Sequence, residues 1–180
     1  MTLAPVTTAQ MLQAGRVFAM RDAIVAAFAA HFPDLAVKAH VGKLDMGDVL
    51  EKDVFSPPCI LIAATRLIDE DRLSGSDDLL VHLTAYVVTE DKMIGQGDAR
   101  RLVKRDELAL AICEAALVAL SDIDWTGWGL ENVSDVDGAE SHPLFTMKSF
   151  ERGTVYYAVT WRQRLYALGD ADFFTGGEAA

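Results

Sequence analysis

The chain of 180 residues is long enough to bury a core and suits one domain. Its 51% hydrophobic and 24% charged residues are ordinary for a folded globular protein. Against 16 Lys and Arg stand 27 Asp and Glu, a formal net charge of −11, which disfavours binding to phosphate backbones or anionic lipid but not a channel wall past which DNA must slide.

The N-terminus has no basic stretch leading into an apolar one, and no later run of about 20 apolar residues lacks charge, so the expectation is a soluble cytoplasmic protein with no membrane partner. Residues 1–15 read as a lead in which residues 8–14 could form a turn of helix; Gly15 argues against a single helix continuous through it. Residues 17–32 place Val17, Met20, Ile24, Ala27 and Phe28 at three- and four-residue steps, the stripe of an amphipathic helix, and Pro33 ends it. Residues 35–41 read as a short strand. Residues 43–58, with Gly47 and the Pro57-Pro58 pair, read as a long connection, an arm or contact loop.

Residues 59–66 form a nearly continuous apolar run and predict a central strand. After an acidic loop, Asp69-Glu-Asp-Arg-Leu-Ser-Gly-Ser-Asp-Asp78, residues 79–89 alternate between apolar and polar positions, which makes an antiparallel hairpin the simplest reading. Residues 95–98 suggest a turn, with Asp98 capping a helix over residues 99–120. Basic residues at that helix's start (Arg100, Arg101, Lys104, Arg105) would oppose its dipole and could call for acidic partners. Residues 130–136 read as a weak strand, Asp137-Gly138 as a turn, and residues 141–146 as irregular.

The last apolar stretch, residues 153–168, has period two. Val155, Tyr157, Val159, Trp161 and Leu165 form one face; Thr154, Tyr156, Thr160, Arg162, Arg164 and Tyr166 form the other. At about 3.3 Å per residue it would run roughly 45 Å, which asks for a sheet on both sides or a partner chain where it overhangs. Residues 169–180 read as a flexible tail rich in glycine and alanine. Strands adjacent in sequence with two long helices predict an α+β fold: a mostly antiparallel sheet of about five strands with both helices on one face, residues 16–168 forming the single domain.

No catalytic motif emerges. Counted as a Ca²⁺ loop from Asp69, the chain offers Ser74 and Leu80 where glycine and glutamate are required; counted from Asp122 it offers Gly127 but then Val133. The four histidines lack ligand spacing, and Cys59 and Cys113 sit in apolar runs typical of buried thiols. The expectation is therefore no enzyme, no cofactor and no metal, with a metal-binding enzyme built on Asp69, Asp71, Asp77 and Asp78 as the alternative of another class. Tyr156, Arg162, Arg164 and Tyr166, with Asp69 and Asp71 in the acidic loop, are candidate subunit contacts, since Tyr and Arg are enriched where proteins meet.

Arg21-Asp-Ala-Ile-Val, Ser56-Pro-Pro-Cys-Ile-Leu-Ile, Val81-His-Leu-Thr-Ala-Tyr-Val-Val, the alanine-rich helix and a closing strand with Trp161 together resemble the tail protein family of Mu-like prophages, similar in element order to lambda-type tail terminators. The resemblance spans roughly residues 16–168. It implies a virion assembly protein that forms a ring, typically a hexamer, on the tail tube, stops its polymerisation and offers a surface to the head connector. DNA would pass through without specific binding, and the protein would be found in the host cytoplasm during assembly and then in the virion tail. Another tail component, such as a head–tail connector, is the alternative of the same class.

Overall fold

Two strands of twelve residues, β3 (Leu79–Glu90) and β7 (Thr154–Leu165), form the spine of the molecule. The computed structural model describes residues 5–44, 56–69, 78–144 and 153–166. In chain order the remaining elements are α1 (Thr8–Gln13), α2 (Arg16–His31), β1 (Ala36–Ala39), β2 (Cys59–Asp69), β4 (Lys92–Ile94), β5 (Arg101–Val103), α3 (Arg105–Leu120), α4 (Ile123–Thr126) and β6 (Asp137–Pro143).

β3 and β7 pair antiparallel along their whole length, from Leu79 opposite Leu165 to Glu90 opposite Thr154. The closing strand therefore has no overhang on β3, and its length alone does not call for a partner chain. The sheet order is β1-β2-β3-β7-β6. It is a mixed sheet rather than the mostly antiparallel one expected, because β1 runs parallel to β2. A parallel pair needs a crossover of a dozen or more residues, and the long stretch between β1 and β2 is of that length; residues 45–55 of it lie outside the described residues.

The alternation along β3 and β7 builds two different faces. On one, Val81, Leu83, Ala85 and Val87 of β3 and Val159, Trp161 and Leu165 of β7 join Met20, Ile24 and Phe28 of α2 and Ile112, Cys113, Ala116 and Leu120 of α3 in the main core. The stripe expected on α2 is the one that is buried. Phe28 lies at its centre, its ring 6.1 Å from that of Trp161 and 5.2 Å from that of Trp125.

Three local expectations change. α3 starts at Arg105, not near residue 99, because residues 92–103 fold back on themselves as the β4–β5 ribbon, with Lys92 opposite Val103. Arg100 and Arg101 therefore precede the helix, and its first turn holds Asp106 and Glu107, which suit its dipole. Asp98 does not cap the helix; Asp91 does so from the far side of the ribbon, its Oδ1 accepting from the Arg105 N–H at 2.9 Å. Finally, residues 130–136 contribute only one bridge, Val133 to Leu165, and the edge strand β6 begins at Asp137 where a turn was expected. Gly138, at φ +63°, sits in a bulge between Asp137 and Glu140, so that turn-prone dipeptide bends the strand instead of ending it.

Candidate functional site

The sheet face turned away from the helices is divided along its length. Toward the Glu90 and Thr154 ends, Cys59, Leu61, Ala63, Tyr86, Val88, Tyr156 and Ala158 form a second apolar cluster, with Leu44 and Leu144 packed against it. The Tyr86 hydroxyl accepts from the Leu44 N–H at 3.1 Å, and its ring meets that of His40 edge-on at 5.8 Å. Burial pushes the Cys59 thiol up to about 11, with Lys38 pulling weakly the other way. Cys113 is likewise buried and its thiol raised by burial. Such thiols are poor nucleophiles at neutral pH.

Toward the other end the same face becomes basic. Arg66 on β2 stands directly opposite His82 on β3, His82 opposite Arg162 on β7, and Arg162 opposite Asp137 on β6. Register alone sets this row of four: at the bulge between Ala64 and Arg66 the pairing shifts, bringing Arg66 level with His82. Arg162 donates to Asp137 at 2.7 Å, with 43% of its side chain still exposed. Its guanidinium lies over Gly138, where an added Cβ would meet it at 3.2 Å. The His82 Nε2 is buried and makes no hydrogen bond among the described residues. Burial first, then the positive charges of Arg66 and Arg162, lower the His82 pKa below its ordinary 6.5. The imidazole is therefore neutral near pH 7, and the row's positive charge lies on its arginines.

The residues named from sequence are spread over this face and its rim. Arg162 belongs to the row, and Arg164 lies opposite Leu80 at the same end. Tyr156 lies opposite Val88 at the apolar end, roughly 20 Å from Arg162 at the strand rise. It is 5% exposed and packed within the chain. Tyr166 follows β7; its carbonyl accepts from Arg16 at 2.6 Å and its N–H donates to Asn132. Asp69 is the exposed last residue of β2, paired with Leu79, while Asp71 and Asp77 lie outside the described residues. Among the described residues no three His, Cys, Asp or Glu side chains converge as a metal site would require.

Reading by residue type misses Arg66, His82 and Gln163. The first two stand out only as the end of one strand and the polar side of another, and nothing in a single strand announces who lies across from it. Gln163 shares the helix-covered face of β7 and is 1% exposed. Its Oε1 accepts from the indole N–H groups of Trp128 and Trp161 at 2.9 and 3.1 Å. Its Nε2 donates to the carbonyls of Thr126 and Ser134, both at 2.9 Å. One amide thus joins α4, the Trp128 turn and the loop before β6 to β7.

The apolar end of this face is buried, so what the face offers to a partner is its cationic end, on an acidic chain. It does not bring together a nucleophile, a base and an acid among the described residues. No described helix is long and apolar enough to cross a membrane. No protein-family model matches the chain, and no curated protein matches it.

Proposed function

We propose that the chain is a virion assembly protein of a phage or prophage, a tail terminator that caps the tail tube as a ring and presents a surface for head joining. The observation that carries this reading is where the segments of the resemblance fall. Arg21 to Val25 lie on α2, the run from Ser56 leads into β2, Val81 to Val88 lie on β3, the alanine-rich stretch forms α3, and Trp161 lies on β7. Each quoted segment occupies a separate principal element, and together these elements supply the main core. The cationic row supports the reading more weakly, as a place where an otherwise acidic protomer can meet an acidic partner.

On this reading capping is a matter of surfaces. One face complements the last ring of tube subunits, and the other cannot accept a further one. The test is loss of the gene. Particles lacking the protein should carry tails of uncontrolled length that do not join heads; tails of normal length that join heads normally would rule the function out.

A further inference from the structure

We propose that copies of this chain associate head to tail, the β4–β5 ribbon of one copy receiving the Asp122-Ile123-Asp124 turn of the next. The inference rests on the ring-forming reading above and identifies the surfaces a ring would use. In a chain of net charge −11, residues 91–105 carry five basic side chains (Lys92, Arg100, Arg101, Lys104, Arg105) against Asp91 and Asp98; Arg101 and Lys104 pair with Glu107 and Asp91, which leaves Lys92 and Arg100 as the exposed cations of the ribbon itself. Residues 122–140 carry six acidic side chains and no Lys or Arg.

These two regions lie at opposite ends of the spine. The ribbon follows Glu90, which pairs with Thr154, and is anchored there by the Thr89 hydroxyl donating to the Arg105 carbonyl at 2.7 Å. The acidic stretch lies by the other end of β7: Val133 bridges Leu165, and Gln163 holds the Thr126 carbonyl. The sixteen residues of α3 run from the ribbon to the Asp122 turn and separate them by roughly 24 Å. A protomer with opposite charge at its two ends favours a heterologous contact, which closes into a ring or extends as a filament.

Shape agrees with charge. Between the ribbon and α3 lies a cleft of about 280 Å³ lined by Ile94, Val103, Leu108 and Ala111, with Arg101 and Glu107 also in its wall. On the ribbon's other face Met93 and Leu102, paired across it, are 45% and 49% exposed. At the other end Ile123 is 65% exposed between Asp122 and Asp124. Arg101 in that wall is paired with Glu107 at 2.6 Å, so the cations left to meet carboxylates flanking an apolar side chain are Lys92, opposite Val103, and Arg100. Two acidic turns would repel each other, which disfavours an isologous contact through that region.

The test is zero-length carbodiimide cross-linking of a concentrated equal mixture of ¹⁵N-labelled and unlabelled full chain, with peptide mapping. Mixed-isotope cross-links between residues 91–105 and 122–140 are expected. Lys92→Glu with Arg100→Glu should lower their yield about tenfold, as should Asp124→Lys with Asp135→Lys, and mixing the two variants should restore it through the one complementary interface left. Ile123→Asn, which changes no charge, should also lower it. Folding is checked by circular dichroism; these side chains are exposed, and single replacements serve where a pair unfolds the chain.

A wild type that stays monomeric and yields no such cross-link overturns the proposal, as does a yield indifferent to both charge reversals. Copies cross-linked through other segments would overturn this interface while leaving the ring reading intact. Cross-links as expected together with tails of normal length on loss of the gene would reject the terminator function alone.

Discussion

Gln163 shows how much a single side chain can settle. Two indole N–H groups and two backbone carbonyls meet one buried amide, and all four of its hydrogen bonds are made. Gln163→Leu keeps the size but leaves those groups without partners. Buried polar groups left so cost about 1–3 kcal/mol each before relaxation, so a loss of roughly 3 kcal/mol is expected in urea unfolding followed by tryptophan fluorescence. A loss below about 0.5 kcal/mol would show the amide to be dispensable. His82 gives a prediction of opposite character, in pH. Because its folded pKa lies below the ordinary 6.5, the unfolded chain binds the proton more readily than the folded one. The neutral imidazole's contribution is thus full above 6.5 and declines as pH falls from there through the lower folded value. Thermal unfolding from pH 7.5 to 5 should show this decline in the wild type and a shallower one in His82→Gln; identical slopes would remove His82 as its source. The thiols obey the same logic: with Cys59 pushed up to about 11 and Cys113 buried, neither should react with a thiol reagent at pH 7 until the chain unfolds.

At the scale of elements, the ribbon and α3 depend on each other through Asp91. Its carboxylate accepts from the Arg105 N–H and pairs with Lys104 at 3.2 Å, so it closes the ribbon and caps the helix together. The backbone hydrogen bond first, then the Lys104 contact, hold its pKa below the usual carboxylate range. Its contribution is present above the unfolded carboxylate pKa and is lost as pH falls through the lowered folded one. Asp91→Ala should lower the melting temperature by about 2–4 °C near neutral pH and by progressively less in acid. Gly95 is the second support of the ribbon: at φ +98°, an added Cβ would lie 2.5 Å from the Ala99 carbonyl oxygen. Gly95→Val should therefore disorder the ribbon while the five-stranded sheet persists, seen as loss of amide protection confined to residues 92–103. These elements also mark where sequence reading succeeds. α2, β3 and β7 are legible because the period of their side chains marks the face turned to the main core, and β2 because a continuous apolar run marks a strand buried on both faces. β4 and β5 are not, since three-residue strands with exposed Met93, Ile94 and Leu102 have no period to read. β6 is hidden because an edge strand rich in acids and glycine looks like a loop until its partner is known. The basic row escapes for a related reason: its members are far apart in sequence, and only the register of four strands makes them neighbours.

At the scale of the whole molecule the sheet gives its two faces different work. One is closed by α2 and α3, and the other passes from an apolar end into the row of Arg66, His82 and Arg162. Reversing charge in that row has two consequences that must be separated. Arg162→Asp would set a second carboxylate against Asp137 on β6, weakening the sheet edge, and would also remove a cation from the accessible face. The exchanged pair Arg162→Asp with Asp137→Arg separates them, because it restores the cross-strand attraction while moving the positive charge one strand outward. Under the proposed terminator function, if the row serves only the fold, the exchanged protein should match the wild type in thermal unfolding and in capping tail tubes. If the row meets a partner, stability should recover to within about 0.5 kcal/mol, since an exposed pair contributes little, while the length of tails assembled with it stays uncontrolled. The second outcome is expected here. On the helix-covered face Gln163 and Trp161 already account for β7 in the fold, and Arg162 lies on the other face, where its charge remains accessible to a neighbour.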